Sequence, residues 1–402
     1  MLQKQAQKIF DLDGYILDKI SYEKNSDILL FCHLQKKSMK FKNSRSYSIC
    51  STRKRRIKHQ VFEGRLVWIV IKQRRFYFTK HNKRLWESLP NVNTKKQTSN
   101  SYRKKTVCDL QNASYSHSSI IRKSSAMFAP RLIDELPELN IYWPKDISLI
   151  SLDGKNIGNH KQLFTLGAPI KNQLLSAIPP MNQAKLVATL KSELTMTQRE
   201  QIKEVCIDMD KFMKAVSKKV FPKANIVIDR FHVIQHALRC FDSHRRRFQK
   251  INNLMLSNIK SLVAKSTKNL THKEKQTLFF FFNKYPDLKI CYNIIQELRQ
   301  MYLKKNKEEG KKQLKKVIEL CYESKILDMI DLAKTLERWY DEILNFHLSH
   351  ITNGFVEGIH NRFETIKRNH FGIRNTDRFV KRLMYTFIPT TLFVDLLSKV
   401  VG

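Results

Sequence analysis

Glu357 lies in TNGFVEGIHNRFETIKRNHFGIRN, residues 352 to 375, and carries the first sign of chemistry in this chain. The spacing predicts a helix from about Phe355 to Asn369. Phe355, Ile359, Phe363 and Ile366 form an apolar stripe, while Glu357, Asn361, Glu364 and Arg368 fall on another face. Thr352 and Asn353 are suited to cap its start and Gly372 to end it. Behind Glu357 follow Arg362, Lys367, Arg368, Arg374, Arg378, Lys381 and Arg382. A carboxylate on a rigid helix next to a basic surface suits a metal-dependent enzyme acting on a phosphate backbone. The plainer alternative is a solvated helix face with one ordinary Glu. Two further carboxylates tilt the balance. Asp153 and Asp208 each close a short apolar run, DISLISLD and EVCIDMD, and Asp229 closes a third, NIVIDRFHV, with His232 three residues later. One Asp at a strand end is commonplace, because Asp favours turns and caps. Two on separate central strands, Asp153 and Asp208, with a later helical Glu are harder to dismiss, since chemistry in open α/β sheets collects at the carboxyl edge of the strands.

These residues need a scaffold, and the patterns around them supply one. DISLISLD (146–153) predicts a strand ending on Asp153. KQLFTLGAPIKNQLLSAI (161–178) predicts a hairpin turning near Gly167 to Lys171, and NQAKLVATLKSEL (182–194) a helix. EVCIDMD (204–210) is a second strand, KFMKAVSKKVF (211–221) a helix stopped with the help of Pro222, and NIVIDRFHV (225–233) a third strand. The result is an α/β layer over 143–233. Residues 234–349 are helical in pattern throughout, a large all-α insertion ahead of the Glu357 segment. In it Phe279–Phe282 reads as core and KKNKEEGKK (304–312) as a solvated turn. Residues 350–402 then complete the α/β core.

Upstream, residues 1–95 read as a small basic module with strands at ILLFCHLQ (28–35) and RLVWIVIKQRRFYF (65–78). Between them Arg53, Lys54, Arg55 and Arg56 form a cationic knot, either a solvated surface or a phosphate contact. Lys95 to Lys105 reads as a linker. Within 96–142, SYSHSSIIRKSSAMFAPRLIDEL suggests either a helix-turn-helix, with Ser124 or Ser125 capping its second helix to about Leu136, or a plain helical hairpin.

Composition narrows the partner. A formal net charge of +38 must be held next to polyanions or it repels itself, so nucleic acid leads and a membrane surface is the rival. No apolar run approaches the ~20 residues needed to span a bilayer, and the N-terminus has no signal-peptide core. The seven dispersed Cys, with no CxxC pair, point to reduced thiols in a cytoplasm.

The succession SLDGKNIGNHKQLFTL, VCIDMD, FPKANIVIDRFHVI and ERWYDEILNF with TNGFVEGIHNRFETIKRNHFGIRN resembles the bacterial insertion-sequence transposases of the ISL-three family, over roughly residues 146 to 390. The resemblance implies a ribonuclease H-like core with a DDE triad: Asp153 and Asp208 as the two Asp and Glu357 as the Glu, all three catalytic and all three ligands of Mg2+ or Mn2+. Asp229-x-x-His232 matches a [C/D]xxH signature, which leaves the pair, with Asn361, in supporting roles. His232 there is either a structural histidine or one that steadies the site's edge or touches a DNA phosphate. Two such cations would activate a water or a 3′-hydroxyl and stabilise the leaving oxygen. In that strand order the VCIDMD strand lies beside the first strand and the Asp229 strand one further out, which favours Asp208 over Asp229 as the second ligand. The resemblance also implies DNA as partner, both terminal inverted repeats and target. It further implies a homo-oligomer that pairs the ends, and a bacterial cytoplasmic, nucleoid-associated location.

The N-terminal region resembles the family's zinc-ribbon DNA-binding module but departs from it. MKFKN (39–43) stands where a CPxCG belongs, Phe78 where a Cys belongs, and Cys50 is off the pattern, so zinc is not expected. DNA affinity is assigned instead to Arg53, Lys54, Arg55, Arg56, Arg74 and Arg75, and beyond the Glu to Lys367, Arg368, Arg374 and Arg378. The lost zinc ligands keep open an inactive or repurposed DNA-binding protein. A generic RNA-binding protein is a third class, but only Phe76 and Tyr77 offer it a stacking platform.

Overall fold

The computed structural model describes residues 2–23, 26–35, 47–93, 95–139, 141, 143–158, 161–252, 259–368 and 375–387. The chain divides into two compact units, one of residues 1–139 with 363–402 and one of residues 140–362. The segment 350–402 is thereby shared between them. Among the described residues no helix is long and apolar enough to cross a membrane.

The first unit holds a five-stranded sheet: β1 (Tyr15–Tyr22), β2 (Ile28–Leu34), β3 (Ser48–Phe62), β4 (Arg65–Phe78) and β5 (Lys83–Trp86). The order is β1-β2-β4-β3, with β5 also paired to β4. β4 follows the expected boundaries. β3 has no counterpart among the expected strands: the cationic knot is the exposed middle of a 15-residue strand. Its apolar pattern starts only at Ile57. It is held along its length by an antiparallel ladder to β4, from Ser48 against Tyr77 to Phe62 against Arg65, with register shifts between Ile49 and Ser51 and between Lys58 and Gln60. The hairpin turns on Glu63 (φ 46°) and Gly64 (φ 70°), both left-handed, which matches the twist of the flanking strands. Leu30, Ile57, Val67, Ile69 and Ile71 form the core under this sheet.

Helices follow at Asn100–Asp109, Tyr115–Ile121 and Phe128–Glu135, and a helix at Thr376–Phe387 belongs to the same unit. The expected linker thus ends early: Ser99 caps the first helix by accepting the Tyr102 amide. Neither Ser124 nor Ser125 caps the last of the three with its side chain; the Ser125 carbonyl takes the Phe128 amide instead.

The second unit is built on β6 (Leu149–Gly158), β7 (Lys161–Ala168), β8 (Gln173–Ile178), β9 (Glu204–Ile207) and β10 (Asn225–Ile228), in the order β10-β9-β6-β7-β8. β6, β7 and β8 are antiparallel neighbours; β9 is parallel to β6, and β10 to β9. The expected helices appear at Gln183–Glu193 and Lys211–Val220. β6 departs from expectation by running through Asp153 rather than stopping there. Its parallel partner pairs only as far as Ser151, but the antiparallel ladder to β7 continues to Gly158.

The helical stretch begins with Arg230–Asn252 and includes Ile259–Ala264, His272–Lys284, Pro286–Met301, Lys307–Glu323 and Leu327–Arg338. It shares one apolar core with the sheet, in which Leu298, Leu332 and Ile343 join Val205, Ile207 and Val227. Two expectations here fail. Phe279 and Phe280 are 61% and 71% exposed, so the Phe run is only half core, because four consecutive residues on a helix cannot share one face. Most of 304–312 is helical: Asn306 caps the helix Lys307–Glu323 and so ends the turn early.

Candidate active site

Three elements of the second unit carry the proposed carboxylates. Ser151 on β6 pairs with Cys206 on β9, and two residues beyond that pair on each strand come Asp153 and Asp208. Parallel neighbours in this register bring both carboxyls to one stretch of the sheet. The third element is the helix Gly354–Arg368, which buries Val356, Ile359, Phe363 and Ile366 and leaves Glu357 half-buried.

Asp153 is buried and held from two sides. Its Oδ1 accepts the Gly154 amide at 2.6 Å, and its Oδ2 accepts Asn353 Nδ2 at 2.8 Å. Burial and then the charge of Asp208 push its pKa up to about 7. Two like charges share a low-dielectric place, so the second makes ionising the first costly. Asp208 meets His232, whose Nε2 lies 3.0 Å from its Oδ1. Burial pulls the His232 pKa down, but the hydrogen bond and charge of Asp208, with Asp229 and Asp153 behind it, outweigh burial and raise it. Glu357 is raised too, first by burial, then by the charges of Asp229 and Asp208, against the pull of His232. Among the described residues no three His, Cys, Asp or Glu side chains stand close enough to form a ready metal cage.

Asp229 ends β10, outside β9. His232 points its Nε2 at Asp208, and the Asp229 contact is backbone, its carbonyl accepting the His232 amide. Burial raises the Asp229 pKa, with His232 pulling the other way. The backbone N–H groups of Asn353 and Phe231 face the Asp229 carboxylate and also pull its pKa down, although neither oxygen meets strict hydrogen-bond geometry. Asn361 is exposed one turn beyond Glu357.

Sequence reasoning misses two residues at the site. Asn353, expected only as a cap, is fully buried and donates to Asp153 across 200 residues of chain. His360 is buried, with Nδ1 3.5 Å from Asp153 Oδ2 and Nε2 2.9 Å from Thr165 Oγ1. Burial and then the charge of Lys155 lower its pKa to about 4, so it is a neutral ring beside the carboxylate. The available signal was helical spacing: Asn353, Glu357 and His360 recur at steps of four and three.

The basic residues divide. Arg53 stacks over Trp86 (4.1 Å) and Arg56 over Trp68 (4.5 Å), and Arg56 also forks onto Glu23 at 2.9 and 3.0 Å. Arg55 donates to the Lys96 carbonyl and Lys54 lies over Phe31. Arg53, Lys54, Arg55 and Arg56 share a cavity of about 880 Å3 with Trp68 and Lys95. Arg75 shares Trp86 with Arg53, whereas Arg74 is paired with Glu87. Lys367 stands 4.0 Å from Glu364, and Arg368 is exposed at its helix end. Arg378 is committed to Asp134 through two hydrogen bonds, at 2.7 and 2.6 Å. Lys381 and Arg382, expected as surface cations, are buried; Arg382 donates to the Leu110 and Ala113 carbonyls. Arg374, Gly372 and MKFKN (39–43) lie outside the described residues. Phe78, in the place of the missing Cys, is a fully buried core residue, and Cys50 is exposed.

Comparison with known proteins adds two findings. Residues 150–383, more than half of the chain, match the model of a transposase family of the ISL-three DDE type. Over 235 residues the chain is 22% identical to the transposase for insertion sequence element IS1001 of Bordetella parapertussis. That match covers 57% of this chain and 58% of the relative.

Proposed function

The chain belongs to the ISL-three family of insertion-sequence transposases, and from that premise we propose that it cuts and joins the ends of such an element by divalent-metal-dependent phosphoryl transfer. Asp153, Asp208 and Glu357 are its catalytic carboxylates. The observation that carries the reading is the pairing of β6 with β9 in parallel, with Asp153 and Asp208 at matching positions and a glutamate of a neighbouring helix in the same electrostatic field. The strand order, three antiparallel strands followed by two parallel ones, supports a ribonuclease H-like core in which the helical block 234–349 is an insertion.

The donor set fits Mg2+ or Mn2+. All three groups are hard carboxylate oxygens, and a cation would oppose both causes of the raised Asp153 pKa, burial first and then the charge of Asp208. Bound there, such ions would supply an activated water or 3′-hydroxyl and charge stabilisation on the leaving oxygen. The chain's own residues prepare the site. Gly154 and Asn353 fix both oxygens of Asp153, and neutral His360 packs beside it without adding charge. His232 stands against Asp208 at ion-pair distance and can carry a proton at Nε2 next to it. Terminal and target DNA are the substrates. The exposed cations of β3 bind the backbone of one of them, and two copies of the chain pair the ends.

The test is nicking and strand transfer by the full chain on DNA carrying the inverted repeats that flank its coding sequence, with and without Mg2+. Metal-dependent cuts at the repeat ends support the reading. Specific binding with no cut in either Mg2+ or Mn2+ would favour the repurposed DNA-binding protein.

A further inference from the structure

Glu357 does not face the sheet alone. With Asp229 it borders an open cavity of about 650 Å3 between the starts of helices Arg230–Asn252 and Gly354–Arg368 and the far ends of Ile259–Ala264 and Pro286–Met301. Its walls are unlike the carboxylate site. Phe231 presents a ring that is 49% exposed, and Leu303, 61% exposed, lies on the same cavity. Arg299 is tethered by one N–H to the Ala264 carbonyl at 2.7 Å, and among the described residues it makes no ion pair, so its other donors remain for a ligand. Tyr302, 7% exposed, also lines the cavity, and its buried hydroxyl has no hydrogen-bond partner. An unpaired buried hydroxyl costs stability and is a reason to look for a ligand.

We propose that this cavity receives one unpaired nucleotide of the DNA, swung out of the helix next to the scissile phosphate: its base lies against Phe231 and Leu303, its phosphate meets Arg299, and the Tyr302 hydroxyl bonds to it. The inference rests on the catalytic reading of Glu357, which shares the cavity and sets its distance from the cut. The volume falls within the ~300–1,000 Å3 of sites that take molecules of this size. An aromatic face with an arginine beside it is the sequence-tolerant way to hold an unstacked base. Half-buried Glu357 on the cavity wall, with the buried charge of Asp229 behind it, would repel a phosphate, which orients the nucleotide with its phosphate toward Arg299.

The test measures binding of the full chain, without divalent metal, to two duplexes of one sequence containing the repeat end. One is fully paired; the other has a single unpaired 2-aminopurine at the end. The expected result is a preference of about tenfold for the unpaired site, or about 1.4 kcal/mol, with quenching of the 2-aminopurine on binding. F231A should erase preference and quenching together while affinity for the paired duplex stays. Y302F, which keeps the ring and the fold, should reduce the preference by roughly threefold, as loss of one hydrogen bond does. Equal affinity of the wild type for both duplexes, or full preference in both variants, overturns the proposal. Cleavage does not enter this measurement, so its failure leaves the catalytic reading standing, and inactivity in a cleavage assay leaves this result unaffected.

Discussion

Asp153→Asn should make the protein more stable at alkaline pH. In the folded chain the Asp153 pKa rises from 3.8 to about 7, through burial and the charge of Asp208. A displacement of about 3 units is on the order of 4 kcal/mol by which the ionised group opposes folding above neutrality. The residue is 5% exposed, so solvent screening takes little away. Asn removes the charge at nearly constant shape. It can accept from Gly154 or from Asn353 but not from both, and the missing hydrogen bond costs about 1 kcal/mol. A net gain of roughly 3 kcal/mol remains at about pH 8. The sign follows from linkage: with the folded pKa above the unfolded one, the wild type loses stability as pH rises from about 4 through 7, and the variant does not. Urea denaturation at a series of pH values reads the gap directly. It should shrink on acidification and reverse slightly near the pKa of a free Asp, where only the effect of the missing hydrogen bond is left. A variant less stable than wild type at alkaline pH, or a gap that ignores pH, refutes the account of Asp153.

Other perturbations separate chemistry from framework. Asp208→Asn and Glu357→Gln should each lower strand cleavage by at least ~1,000-fold in a gel assay, as expected when charge stabilisation is removed, with DNA binding kept or raised. Asn353→Ala should cost about 1–3 kcal/mol in urea denaturation, since Asp153 Oδ2 is then buried without its donor. Neutralising Arg53, Lys54, Arg55 and Arg56 together should flatten the salt dependence of DNA binding, by up to about 0.9 in log–log slope for each phosphate that is no longer neutralised. Arg378→Ala should leave that slope unchanged and instead lower thermal stability, because its guanidinium holds Asp134.

Much of the second unit was legible because its apolar runs are short, β-branched and bounded by turn residues. β7, β8, the helix Gln183–Glu193 and the adjacency of the Asp153 and Asp208 strands followed from pattern and family order. What failed depended on partners distant in sequence. β3 is a strand because β4 pairs with it, although its outer half is polar on both faces and lacks alternation. Lys381 and Arg382 read as surface charge, yet they are buried against carbonyls some 250 residues away, including Leu110 and Asp134. Asn353 and His360 owe their positions beside Asp153 to packing of their helix on the sheet, which no local window contains.

Titration of the full chain with Mn2+, following free metal by electron paramagnetic resonance, tests most directly whether the three carboxylates act as one site. Binding should be present in the wild type, abolished or much weakened in Asp153→Asn, Asp208→Asn and Glu357→Gln alike, and retained in Asp229→Asn. Retention in Glu357→Gln, or a loss in Asp229→Asn as complete as in Asp208→Asn, would contradict the assignment.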